Sequence, residues 1–217
     1  MSHAGNEQIF VFGASGHAKV VIDIIERQGL HTIVFIVDDN LALKGHHFFG
    51  YPVIGGKDAL LALAERPARG IVAIGSNRAR QEVATWLTAH GFDLVTAIHP
   101  SVQLGRGITV GSGTVVMGGA VINSDTRIGR NVIVNTRASI DHDCLIGDGV
   151  HLAPGSTLCG TVSVGDETFV CAGATVVPNL TIGKNVTVGA GSTVIRDVAD
   201  FATVAGIPAR ELTKYKE

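Results

Sequence analysis

Two histidines sit where a proton could be moved. His142 lies in Ile140-Asp141-His142-Asp143-Cys144, and His151 lies in Gly149-Val150-His151-Leu152. Imidazole titrates near neutral pH and suits general acid–base work. An acid beside it, Asp143 or Asp141, would fix its tautomer and raise its basicity. A surface histidine that merely bonds to neighbouring acids fits the same residues, and both readings stay open for His142. For His151 the ordinary packing reading is favoured. Three further clusters carry the side chains and turns that hold phosphates and riboses: Gly13-Ala14-Ser15-Gly16-His17, Asp38-Asp39, and Gly75-Ser76-Asn77 with Arg80. A glycine turn that opens a helix presents backbone N–H groups to a phosphate. A carboxylate accepts hydrogen bonds from a ribose or a base, and an Arg can clamp a diphosphate.

The elements around these clusters alternate. Ile9–Phe12, Ile33–Val37, Ile71–Ile74 and Leu94–Ile98 read as short strands. Ala18–Gln28, Lys57–Arg66 and Arg78–His90 read as helices, with Val20, Val21, Ile24 and Ile25 at helical spacing in the first. Such alternation predicts a small Rossmann-like parallel sheet covered by helices over 1–98. Ligands of these sheets bind outside the carboxyl ends of the strands, where all three clusters fall. Gly13-x-x-Gly16 is shorter than a full dinucleotide fingerprint, and the sheet lacks the second half of a dinucleotide domain. A single nucleotide, or a nucleotide-linked sugar, fits better.

From residue 99 to 217 the chain is a repeat. Counting in sixes from Leu104 to Val194, all sixteen positions are Leu, Ile or Val. Two residues before each runs a second register of smaller side chains, among them Thr114, Ala120, Cys144, Ser156 and Ala174. Glycine follows the aliphatic position at Gly105, Gly111, Gly129, Gly147, Gly165, Gly183 and Gly189. A six-residue period predicts a parallel β-helix of about five coils, about eighteen residues each. Aliphatic side chains would fill a narrow interior, and glycine or Asn would supply the unusual turn dihedrals. Stacking at that interval places His142 between Ser124 and Gly160, both small, with room for a ligand beside it.

Composition narrows the class. The 217 residues carry 17 Lys+Arg against 19 Asp+Glu, and this balance disfavours a nucleic-acid binder. A 46% hydrophobic content with near-zero net charge excludes a disordered chain. No apolar run reaches the roughly 18 residues of a membrane helix. No charged leader with an apolar core opens the chain. The three cysteines Cys144, Cys159 and Cys171 form no CxxC pair, which suits a reducing, cytoplasmic setting, with packing as their expected role.

Taken in order, the three N-terminal clusters, Ala97-Ile98-His99-Pro100, Asn135-Thr136, His142-Asp143-Cys144 and Gly206 to Arg210 resemble one family along essentially the whole chain. It is the sialic-acid-O-acetyltransferase-like group of bacterial sugar acetyltransferases. Within it, the likeness is to the N-acetyltransferases of nucleotide-linked 4-amino-4,6-dideoxy sugars, as in bacillosamine and perosamine pathways. The resemblance implies a left-handed β-helix, a homotrimer and acetyl-CoA as donor, with no metal. It implies His142 as general base on the sugar amine, oriented by Asp143, where some relatives carry Glu. His151 would lie near the acetyl carbonyl, and the Gly160 N–H would be an oxyanion donor. Coenzyme A would run along Gly173, Gly189 and Gly191, with its adenine near Pro208. Asn135 would contact the sugar. Gly13, Ser15, Gly16, His17, Asp38, Asp39, Gly75, Asn77 and Arg80 would hold the nucleotide diphosphate. The tail is expected to end in a short helix.

Alternatives remain at this level. O-acetylation of sialic acid or another sugar hydroxyl would use the same base and donor. A zinc hydratase on the same repeat needs three imidazoles, but His142 and His151 are nine apart and no H-x4-H occurs in the repeat. A sugar nucleotidyltransferase would need a longer catalytic domain. A non-catalytic nucleotide-sugar binder would not need His142 between two acids.

Overall fold

The structure, a computed structural model, describes residues 6–212. The chain divides into two compact units after Pro100. In the first, strands β1 (Glu7–Phe12), β2 (His31–Val37), β5 (Arg69–Val72) and β6 (Asp93–Leu94) form an all-parallel sheet in the order β2-β1-β5-β6. Ile9, Phe10, Val11 and Phe12 are all buried, as a central strand covered on both faces requires. Gly70 lies against the Phe10 ring, and a Cβ there would come within 2.5 Å of it. Phe10 in turn meets Phe92 edge-on at 5.2 Å.

Helix α1 (Gly16–Gln28) buries Ala18, Val21, Ile22, Ile24 and Ile25, and Val20 is exposed. Gly29 closes it in the left-handed conformation, its N–H bonded to Ile25 O at 3.0 Å. Helix α2 (Lys57–Ala62) is shorter than its apolar spacing predicts. Leu63 is extended, and Arg66 turns back to donate to Leu61 O at 2.8 Å, taking up a helix-end carbonyl. Helix α3 (Asn77–Ala89) follows β5. The sequence reading misses an antiparallel hairpin, β3 (His47–Phe48) and β4 (Tyr51–Pro52). Its two turn residues, Phe49 and Gly50, have φ of 52° and 90°, the conformation tight hairpins demand. Phe-Gly is a weak signal for it.

The second unit is a left-handed parallel β-helix of about 6 turns. Two-residue strands stack at intervals of eighteen into three sheets, as in Ile133↔His151↔Phe169 and Ser139↔Thr157↔Thr175. Of the sixteen aliphatic positions, those from Val116 to Val194 are buried, whereas Leu104, on the terminal strand of its sheet, is 48% exposed. The turn count exceeds the sequence estimate because wrapping continues past the last repeat. Val198 bridges Ile182, and Thr203–Gly206 pairs with Thr187–Val188, at sixteen-residue intervals that the six-residue count does not detect. The tail then forms an antiparallel hairpin, Thr203–Gly206 with Ala209–Glu211, in place of the expected helix. Residues 213–217 lie outside the described residues.

Two positions per repeat constrain the backbone, for different reasons. The glycines that follow the aliphatic residue need space: a Cβ on Gly165 would come within 2.6 Å of the Lys184 backbone N in the next coil. Positive φ occurs two residues further on, at every sixth residue from Gly107 to Gly191, and includes Arg137, Asp143, Thr161 and Glu167. The turn dihedrals expected of the first glycine register therefore belong to the second.

Interior polar groups are mostly satisfied. The Thr114, Thr126 and Thr168 hydroxyls each donate to a carbonyl and accept a backbone N–H. Ser156, 1% exposed in a ladder between Ala138 and Ala174, has a hydroxyl with no partner among the described residues. Ser156→Ala should therefore stabilise the protein by about 1 kcal/mol, a rise of roughly 2–4 °C in Tm. Calorimetry reads this directly, and a fall in Tm would show that the hydroxyl is bonded.

Candidate functional site

In the first unit the three expected clusters meet at the carboxyl ends of β2, β1 and β5. Gly13 has φ 116° and donates to Val37 O at 2.7 Å, and a Cβ there would approach Ala73 O to 2.8 Å. Only glycine lets the β1–α1 turn pass this close to the neighbouring strands. Asp38 ties the turn down. Its Oδ2 accepts the Ala14 N–H at 2.7 Å and its Oδ1 the Asn40 N–H at 2.8 Å. Asp39 accepts the Lys57 N–H at 3.1 Å at the start of α2 and borders a cavity of about 560 Å³ with Lys44, Gly56 and Lys57. Ser15 and Gly16 are exposed at the start of α1, and nothing crowds Gly16 or Gly75.

Arg80 departs from expectation. In place of an exposed diphosphate clamp, the structure has a buried brace. The residue is 1% exposed, and its guanidinium donates to Ile74 O and Gly75 O, both at 3.1 Å, and to Asn77 Oδ1 at 2.9 Å. Arg80 thus shapes the β5–α3 loop from inside, and the same bond occupies the Asn77 carbonyl.

His17 has a buried Nε2 without a partner among the described residues. Burial, with help from the Arg80 charge, lowers its pKa from 6.5 to about 4, so it is neutral at pH 7. The unfolded chain then takes up a proton that the folded one refuses. Stability present above pH 6.5 is lost as pH falls toward 4, with a slope of at most about 1.4 kcal/mol per unit. His17→Leu should flatten this acid slope in denaturant titrations at pH 7, 6 and 5. An unchanged slope would assign the acid sensitivity to other groups.

In the second unit His142 sits at a corner of the coil, between the strands Ser139–Ile140 and Leu145–Ile146, and not on a flat face. Its Nδ1 is 2.7 Å from Asp143 Oδ2, which identifies Asp143 as the pairing acid. Asp143 occupies a positive-φ position, at 59°. Asp141 bonds to the main chain instead, accepting the His142 N–H at 2.9 Å. The Asp143 hydrogen bond, followed by the Asp141 charge, raises the His142 pKa above its ordinary value. With Nδ1 engaged, the proton-accepting atom left is Nε2. The ring lies over Gly160, where a Cβ would come within 2.7 Å of both Nε2 and Cε1. Gly160 is buried, and its N–H donates to no acceptor among the described residues. At the same position of the six-residue repeat, on another corner of the coil, the Arg130 and Asp148 N–H groups are taken by carboxylates at 2.7 and 2.8 Å.

His151 lies in a strand, its ring centroid 4.9 Å from that of Phe169. Asn135 Oδ1 accepts the Thr136 N–H at 2.8 Å, so its Nδ2 is the atom 3.1 Å from His151 Nε2. In this pairing the Asn135 amide donates to Nε2 of His151. Gly173 and Gly191 stack at one corner with positive φ and open space where a Cβ would stand. Gly189 lies against Ala205, and Pro208 is in the turn of the tail hairpin. Asn123, which donates to Asp141 Oδ1 at 2.8 Å, and Phe169 are missing from the sequence reading. Both lie eighteen residues from a residue already singled out, so the coil length could have found them. Among the described residues no group of three or more His, Cys, Asp or Glu is placed to hold a metal ion. The three cysteines are unpaired. Among the described residues no helix is long and apolar enough to cross a membrane.

Residues 8–87 match the PglD N-terminal domain family, and residues 125–160 and 161–196 match the bacterial transferase hexapeptide family. A variant of perosamine N-acetyltransferase from Caulobacter crescentus, solved with CoA and GDP-perosamine, is 40% identical, with a TM-score of 0.91 over 97% of this chain and 99% of that one. The acetyltransferase domain of PglB from Neisseria gonorrhoeae, solved with acetyl coenzyme A, is 38% identical, with a TM-score of 0.88 over 96% and 100%. UDP-N-acetylbacillosamine N-acetyltransferase of Bacillus subtilis is 36% identical over 113 residues, 51% of each chain. The chain spans about half the length of the curated relatives it matches.

Proposed function

The chain belongs to the bacterial bacillosamine- and perosamine-type sugar N-acetyltransferases, which join a PglD-type N-terminal domain to hexapeptide repeats, and on that premise we propose that it transfers the acetyl group of acetyl-CoA to the 4-amino group of a nucleotide-linked 4-amino-4,6-dideoxy sugar. The observation that carries this reading is the His142 corner. Nδ1 is held by Asp143, Nε2 is free, and the ring lies over Gly160, whose N–H is unbonded among the described residues.

Such a sugar amine is an ammonium ion near neutral pH and must lose a proton to become a nucleophile. His142 Nε2 accepts that proton. The amine nitrogen then bonds to the thioester carbonyl carbon, and the carbonyl oxygen gains the negative charge. The Gly160 N–H donates to that oxygen. Collapse of the intermediate breaks the C–S bond, the proton held on Nε2 passes to the leaving thiolate, and the second proton of the former ammonium leaves the nitrogen for the freed Nε2 and from there for water. Amide and thiol are the products, and no acetyl-enzyme forms.

His151 lies near the acetyl carbonyl, and Asn135 offers its other amide hydrogen to the sugar. The open corner at Gly173 and Gly191, with Gly189 and Pro208, accommodates coenzyme A. Gly13, Ser15, Gly16, Asp38, Asp39, Gly75 and Asn77 form the nucleotide-diphosphate site, with His17 and Arg80 supporting it from within. The protein works in the cytoplasm as a homotrimer, which light scattering would read as three times 22.5 kDa.

A thiol-release assay with acetyl-CoA against UDP-, GDP- and dTDP-linked 4-amino-4,6-dideoxy sugars, plus sialic acid, tests the reading. Fast release with one amino sugar is the expected result. Release with sialic acid alone, or with none of the panel from protein that still binds acetyl-CoA, would overturn it.

A further inference from the structure

Asp141 is the acid next to His142 that does not touch the ring. Its carboxylate is engaged all the same: Oδ1 accepts both the His142 N–H at 2.9 Å and Asn123 Nδ2 at 2.8 Å. Asn123 comes from the preceding coil, eighteen residues back. The Asp141 carbonyl is held too, by the Thr126 hydroxyl at 2.9 Å, and the Asp143 N–H reaches Ser124 O at 3.0 Å. This corner is therefore pinned on both sides of His142 by the coil before it.

The fold does not require polar side chains here. The same ladder position holds Gly105, Cys159 and Val177, and the strands beside them stack with the same register. An amide–carboxylate pair at Asn123 and Asp141 is thus an addition at the one coil that carries His142. It lies on the surface and supports no core.

We propose that Asp141, anchored by Asn123, is a positioning residue for His142, fixing the main chain at the base and setting, together with Asp143, the pH above which its ring can accept a proton. This rests on the reading of His142 as the base. The groups facing the ring are few. Asp141 and Asp143 flank it, Ser124 and Gly160 stack above and below without charge, and the Cys144 thiol donates to the His142 and Cys159 carbonyls, not to the ring. Two nearby carboxylates stabilise the protonated ring, so loss of either charge moves its titration to lower pH.

The test separates charge from tether. Asp141→Asn keeps an acceptor oxygen and removes the charge, while Asn123→Ala keeps the charge and removes the tether. The readouts are the ¹⁵N-imidazole titration of His142 by NMR in the full-length protein and the pH profile of kcat/KM. In Asp141→Asn the His142 midpoint and the rise of kcat/KM both move to lower pH. In Asn123→Ala kcat/KM falls roughly tenfold from misplacement of the base, with KM for acetyl-CoA and Tm unchanged. A wild-type His142 midpoint in Asp141→Asn together with full kcat/KM in Asn123→Ala would overturn the proposal. The NMR titration needs no turnover. An unaltered protein without acetyl transfer would count against the proposed function, while the titration would still decide the role of Asp141.

Discussion

His142→Ala should lower kcat/KM by roughly a hundred- to ten-thousandfold, the range a positioned general base contributes, with the affinity for acetyl-CoA unchanged. The ring is 56% exposed and fills no core, so its removal leaves the coil intact. What disappears is the group whose Nδ1 is fixed by Asp143 and whose Nε2 is free for the substrate proton. Without it, only the small fraction of sugar amine already deprotonated can attack. The remaining rate should then rise with pH as that fraction grows, and the inflection of His142 itself should vanish. Stopped-flow detection of released thiol, beside calorimetric titration with acetyl-CoA, reads both halves. Full turnover in the alanine variant would remove His142 as the base.

Gly160→Ala should be nearly as damaging to turnover and almost silent in stability. The backbone of Gly160 is outside the positive-φ region, so alanine introduces no dihedral strain. The new methyl would stand within 2.7 Å of Nε2 and Cε1 of His142, closer than carbon and nitrogen can approach without bonding. One partner must move, and the flexible, exposed ring moves more cheaply than a stacked coil. A displacement near 1 Å at a catalytic group costs about a hundredfold. We expect kcat to fall by about that factor, with Tm within a degree or two of the unaltered protein. A melting temperature lowered sharply would mean that the backbone had shifted in place of the ring, and unimpaired turnover would mean that the position of Nε2 over Gly160 does not matter.

How much of this was legible in the residues depends on where the determining contact lies. The β-helix was legible because its interior repeats every six residues, and an aliphatic side chain from Val116 to Val194 can point only inward. The count failed at the end, where the Ile182–Val198 and Val188–Val204 pairings shorten the interval to sixteen. Glycine does two different things that its spacing alone does not separate: the residues after the aliphatic position need space, and those two further on need positive φ. The burial of Arg80 is not legible, because sequence shows a cation at a strand end but not which way the loop folds. Here the loop wraps the guanidinium and spends its donors on Ile74, Gly75 and Asn77. The His142 corner was half legible. Flanking acids announced a paired imidazole, but which acid pairs is set by the left-handed turn at Asp143, a backbone property. Asn123 was within reach of the eighteen-residue interval that located Gly160.

The central claim is that this chain moves an acetyl group onto a nitrogen. Mass spectrometry of the product formed from acetyl-CoA and a nucleotide-linked 4-amino-4,6-dideoxy sugar, before and after hydroxylamine treatment, tests it most directly. The expected product is a singly acetylated sugar that survives hydroxylamine, as an amide does. An acetyl group that hydroxylamine removes would be an ester and would reassign the chain to hydroxyl acceptors.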